Sequence, residues 1–112
     1  MDLSKGIEYV PSFDGNRDKP EGERVKVWCQ RLRYQFTSRN QKLAAEVDPE
    51  KQIELQKEII RAHVRKIENL FDGDSRIETG GDLVDCAAAP ADLIAEITGV
   101  IVTGKDEALE KN

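Results

Sequence analysis

Apolar and polar positions change their period several times along this chain, and each change marks an element. In Ile7-Glu8-Tyr9-Val10-Pro11-Ser12-Phe13, residues Ile7, Tyr9 and Phe13 share one parity, the pattern of a strand with one buried face. Pro11 has no N–H to donate, so the strand should end there or lie at an edge. Asp14 to Glu23 carries two Gly, one Pro and mixed charge, which reads as a loop. Arg24-Val25-Lys26-Val27-Trp28-Cys29 then alternates polar and apolar, and its β-branched residues favour a second strand. After Cys29 the parity slips to Leu32, Tyr34 and Phe36, and a bulge near Gln30 would restore one buried face. Val25, Trp28, Cys29, Leu32 and Phe36 also fit helical spacing, so a helix is the rival reading. The charged loop before the segment reads as a hairpin connection and favours the strand.

From Thr37 the period lengthens. Thr37-Ser38 is a candidate cap for a short helix reaching about Val47. Asp48-Pro49-Glu50 is a clearer start: an acceptor at the cap, Pro at the first helical position, and an acid at the positive dipole end. Ile53, Ile60, Val64 and Ile67 recur at nearly helical spacing, with Leu55 and Ile59 widening the stripe, so a long helix is predicted from 49 to about 66. Asp72-Gly73 reads as a tight hairpin with arms Ile67 to Phe71 and Arg76 to Glu78. Thr79 and Asp82 stand in capping-box positions for a short helix covering Leu83, Val84 and Ala87. Pro90-Ala91-Asp92 opens a final helix with an apolar face of Leu93, Ile94, Ile97, Val100 and Ile101, stopped at Thr103-Gly104. The predicted architecture is α+β: an N-terminal strand pair, one long amphipathic helix, a small hairpin and two short C-terminal helices. One small domain spans 1–104, and 105–112 is a polar, flexible tail.

The 112 residues suit one small domain, and 35% charged against 38% hydrophobic allows only a modest core. The formal charge of -5 argues against generic duplex-DNA binding. No apolar run approaches the roughly 20 residues a membrane span needs. Met1-Asp2-Leu3-Ser4-Lys5 lacks the apolar stretch of a signal peptide, so a soluble, cytoplasmic protein with reduced thiols is expected. Cys29 and Cys86 have no neighbours at metal-ligand spacing, which argues against zinc and marks both as small buried groups.

No catalytic motif emerges. His63, the sole histidine, has no nucleophile or carboxylate beside it in sequence and reads as a surface or packing residue. Asp72, Asp74, Glu78 and Asp82 fail the EF-hand pattern, because Arg76 and Ile77 occupy its fifth and sixth positions. Gly80-Gly81 belongs to no phosphate-binding motif. Neither an enzyme activity nor a cofactor or metal is expected.

Charge placement says more. Arg24, Lys26, Arg31, Arg33, Arg39 and Lys42 fall in a stretch without an acid, interleaved with Trp28, Tyr34 and Phe36. Basic residues among aromatics can stack single-stranded bases. A nucleic-acid surface of Arg24, Lys26, Trp28, Arg31, Arg33 and Tyr34 is therefore the alternative reading. The opposing expectation is that the aromatics fill the core, since the chain has only six. Residues 72 to 112 hold ten acids against three bases. Such a charge division suits head-to-tail self-association or a charged partner, but the favoured reading is simply the solvated faces of one small domain.

Three stretches together resemble the small tail-assembly, chaperone-like proteins of tailed bacteriophages and prophages. They are Ile7-Glu8-Tyr9-Val10-Pro11-Ser12-Phe13-Asp14-Gly15-Asn16-Arg17 with the following Val25/Val27 strand; His63-Val64-Arg65-Lys66-Ile67-Glu68-Asn69-Leu70 with the Asp72-Gly73 turn and Ile77-Glu78-Thr79-Gly80-Gly81-Asp82-Leu83; and Asp92-Leu93-Ile94-Ala95-Glu96-Ile97 with Leu109-Glu110-Lys111-Asn112. The resemblance implies a non-enzymatic role in virion morphogenesis inside the bacterial host: keeping a tape-measure or tube protein soluble until the tail tube polymerises. Recognition of apolar helical segments would then fall to an exposed edge or groove. The expected partner-binding residues are Tyr9 on the N-terminal edge strand and Leu93, Ile97 and Ile101 on the last helix.

Overall fold

The computed structural model describes residues 6–104 and has the α+β architecture that the pattern predicts. The tail expected at 105–112 and the Leu109–Asn112 part of the resemblance lie outside the described residues. Strands β1 (Ile7–Tyr9) and β2 (Lys26–Cys29) pair antiparallel, with Ile7 opposite Cys29 and Tyr9 opposite Val27. Asn16, fully buried in their long connection, fixes that pairing. Its amide donates to the Pro11 and Val25 carbonyls at 2.8 and 3.1 Å, and its carbonyl accepts from the Val25 N–H at 2.8 Å. The chain leaves the sheet after Cys29, so the parity slip at Leu32 is an exit and not a continued strand. The Gln30 N–H donates to the His63 carbonyl and the Leu32 N–H to that of Ile101, bonds that replace a ladder.

A tight turn at Tyr34–Phe36 leads into α1 (Thr37–Ala45). Thr37 does not cap it: its hydroxyl donates to the Tyr34 carbonyl, and the helix stops two residues short of Val47. Helix α2 (Pro49–His63) begins as predicted, with the Asp48 carboxylate accepting from the Glu50 N–H at 3.0 Å. It ends three residues early. Val64 turns extended and opens β3 (Val64–Glu68), which pairs with β2 to give the sheet order β1-β2-β3.

That boundary was hidden by a bulge. Trp28 lies opposite Lys66 and Cys29 opposite Val64, so Arg65 is the extra residue, on β3 and not near Gln30. The bulge turns both Val64 and Ile67 inward, and their spacing of three continues the helical period of α2. The small hairpin is β4 (Phe71–Asp72) with β5 (Ser75–Arg76), turning at Gly73-Asp74 with Gly73 at φ 61. Its ladder extends backwards: Ile77 N–H donates to Leu70, and Ile67 N–H to Glu78.

Helix α3 (Gly80–Asp85) carries the expected capping box, with Thr79 accepting from Asp82 N–H and the Asp82 carboxylate accepting from Thr79 N–H. It ends before Ala87. A side chain at Gly80 would place its Cβ 2.6 Å from the Ile60 carbonyl, so the close contact of α3 with α2 requires glycine. Helix α4 (Ala91–Thr103) ends on left-handed Gly104, as predicted. The core between the sheet and α2, α3 and α4 is aliphatic: Val27, Ile59, Ile60, Leu83, Leu93, Ile97 and Ile101 are its centre, and Tyr9 is its one buried aromatic among the described residues.

Candidate interaction surfaces

The expected partner-binding residues are all interior, which corrects their assignment. Tyr9 is 2% exposed, and Leu93, Ile97 and Ile101 are 0% exposed. The face of α4 that carries them is the one that closes the core over the sheet. β1 does lie at a sheet edge, but its Tyr9 ring points inward and its hydroxyl donates to the Glu96 carboxylate on α4. The same carboxylate accepts from the Ser12 N–H at 2.6 Å, locking the end of β1 to the last helix.

An apolar surface lies elsewhere. A groove of about 600 Å³ runs between α2, the α3–α4 connection and the start of α4. Ile53, Val84, Ala87, Ala89, Ala91 and Ile94 supply its apolar lining. Ile53 belongs to the stripe that predicted α2, yet it is 49% exposed, because α2 is longer than the core it covers. The small side chains of the α3–α4 connection leave this space open. The helical stripe alone does not show that Ile53 lies at the edge of the core; Ala87, Ala89 and Ala91 are the available signal for a shallow wall.

The cationic stretch is divided by the fold. Lys26 and Trp28 lie half-buried on the outer face of the sheet, opposite the core, where Lys66 Nζ sits 5.0 Å from the Trp28 ring. Glu68 and Glu8, the cross-strand neighbours of Lys26 and Trp28, share that face. Arg24 is turned back onto the Lys19 carbonyl. Arg31, Arg33 and Tyr34 are exposed beyond the sheet, Tyr34 at 93%. The Arg31 stem runs over Gly104 at the end of α4. The Arg33 and Arg39 guanidiniums lie 5.0 and 4.8 Å from the Phe36 ring centroid, and Arg39 also pairs with Glu58 at 3.0 Å. The aromatics expected in the core are therefore outside it: none of Trp28, Tyr34 and Phe36 is buried.

His63 is a packing residue, fully buried at the end of α2. Its Nδ1 lies 2.7 Å from the Ile59 carbonyl and Nε2 accepts the Arg33 N–H at 3.0 Å, which together define a neutral ring protonated on Nδ1. Burial lowers its pKa below the ordinary 6.5, the Ile59 carbonyl opposes this, and the Arg33 charge adds to the lowering. The edge of the Phe36 ring meets the imidazole at 4.8 Å. Burial pushes the Cys29 thiol up to about 11, so it is inert, whereas half-buried Cys86 lies 3.5 Å from the Asp72 carboxylate. Backbone N–H donation from Glu78 holds the Asp82 carboxyl below its usual range. Among the described residues no group of His, Cys, Asp and Glu is arranged to hold a metal ion, and no helix is long and apolar enough to cross a membrane. Comparison with known proteins finds no matching family model, no matching curated protein and no matching solved structure.

Proposed function

We propose that the chain is a non-enzymatic assembly protein of a tailed bacteriophage or prophage, holding an apolar helical segment of a tape-measure or tube protein in the host cytoplasm before the tail forms. The partner class comes from the sequence resemblance. The observation that carries the reading is the open groove between α2 and α4, which has an apolar lining of Ile53, small alanines and Ile94, with Lys57 and Asp85 beside it. An amphipathic helix seats apolar residues in such a groove and keeps its charged face in water.

The test is co-expression of the tagged chain with a tailed-phage tape-measure protein and a tube protein, followed by capture with and without nuclease. A nuclease-resistant complex that Ile53→Glu reduces at least about tenfold is the expected result, since a charge in a desolvated apolar contact costs more than 1.4 kcal/mol. Full recovery with Ile53→Glu, or no complex with either protein, overturns the reading.

A further inference from the structure

Apart from the groove, the turn between the sheet and α1 combines features that a structural role does not require. Tyr34 is almost completely solvent-exposed, and a connecting turn gains nothing from an aromatic there. Arg31 and Arg33 precede it in the chain, and among the described residues neither has a carboxylate within 4 Å. Arg39 lies against the same Phe36 ring as Arg33 and shares its charge with Glu58. The backbone beneath is fixed: Leu32 N–H donates to Ile101 at 2.8 Å, Arg33 N–H to the His63 ring at 3.0 Å, and Phe36 N–H to Arg33 at 2.8 Å. The side chains are thus displayed from a held turn and not a loose loop.

We infer that this turn is a binding site for single-stranded nucleic acid, with Tyr34 as a base-stacking platform and Arg31 and Arg33 contacting the flanking phosphates. Every base offers a π-face to an aromatic ring, and a guanidinium pairs with phosphate oxygens through two N–H donors. On the outer face of the sheet Lys66 also supplies a cation at the Trp28 ring. Glu8 and Glu68 beside Trp28 and Lys26 weaken the field on the sheet, which makes the turn the centre of the site. An acidic polypeptide would answer to the arginines but would leave the exposed ring without a stacking partner, so the ring decides for the nucleic acid. The inference is independent of the groove and of any tail partner.

Fluorescence anisotropy of the full chain with a labelled oligo-dT of about 12 nucleotides tests it. Binding should weaken about 20-fold between roughly 50 and 200 mM salt, the drop for about three neutralised phosphates. Tyr34→Ala should weaken it about tenfold, whereas Tyr34→Phe keeps it within about twofold. Arg31→Glu with Arg33→Glu should abolish it while circular dichroism stays unchanged. Absence of binding at the lower salt overturns the inference, as does binding indifferent to these substitutions. Displacement of the oligonucleotide by polyglutamate as effective as by unlabelled oligo-dT also overturns it, in favour of an acidic polypeptide partner.

Discussion

The inward face of α4 and the apolar stripe of α2 are both marked by helical spacing, yet their residues meet different fates. Leu93, Ile97 and Ile101 are sealed against the sheet, whereas Ile53 remains half in water. The difference lies in what covers each face. α4 lies over a three-stranded sheet whose inward residues, among them Val27 and Cys29, fill the space beneath it. The α3–α4 connection faces the first turns of α2 with small side chains, Cys86, Ala87 and Ala89. An apolar stripe therefore identifies a helix and its orientation, but not whether the stripe serves the core or a partner. The aromatics teach the same from the other side: an aliphatic core left Tyr34 exposed and Trp28 and Phe36 only half-buried at its margin.

The contrast breaks most visibly by truncation. Ile97→Ala should lose about 2–5 kcal/mol in urea unfolding, while Ile53→Ala should lose less than about 1 kcal/mol, because the exposed side chain leaves no closed cavity. Equal losses would mean that the groove closes as part of the core. A second distinction is set by acid. The unfolded chain takes up the His63 proton near its ordinary 6.5, but the folded chain holds it off to lower pH. This contribution to stability is thus complete above that value and is lost as pH falls through the window below it. His63→Gln should flatten the pH dependence of the urea midpoint there, and an unchanged slope would show that another group titrates. The Asp82 contribution falls in a separate window, below 3.8, where its depressed carboxyl is protonated. The cap is local: Thr79→Ala should cost about 1 kcal/mol by the same denaturation assay, through the start of α3 alone.

Local signals carried much of this fold into view. The starts of α2, α3 and α4 are marked by Asp48-Pro49, Thr79 with Asp82, and Pro90, and the stop of α4 by Gly104. Those are short-range effects of capping and proline geometry. What escaped was decided by pairing at a distance. Val64 and Ile67 keep a helical spacing because a bulge at Arg65 turns both inward, so only the partner strand distinguishes β3 from a continued helix. The cationic stretch was legible as composition, but the exposure of Tyr34 follows from the chain leaving the sheet at Gln30 to bond His63 and Ile101. The partner face assigned to Tyr9, Leu93, Ile97 and Ile101 failed for a related reason: edge position and apolar spacing do not reveal that the face is already occupied.

The buried amide of Asn16 has one further consequence. By bonding Pro11 and both polar groups of Val25, it divides the passage from β1 to β2 into a part bolted to the strands and an outer arc, which Asn69 holds only at the Gly22 carbonyl and Arg24 at that of Lys19. The register of the two strands is then insulated from whatever lies between Asp18 and Glu23. Extra residues there would enlarge only the outer arc, at about 0.6 kcal/mol for each doubling of its length. That arc is a place where related chains could diverge in length and sequence while the sheet beneath keeps its alignment.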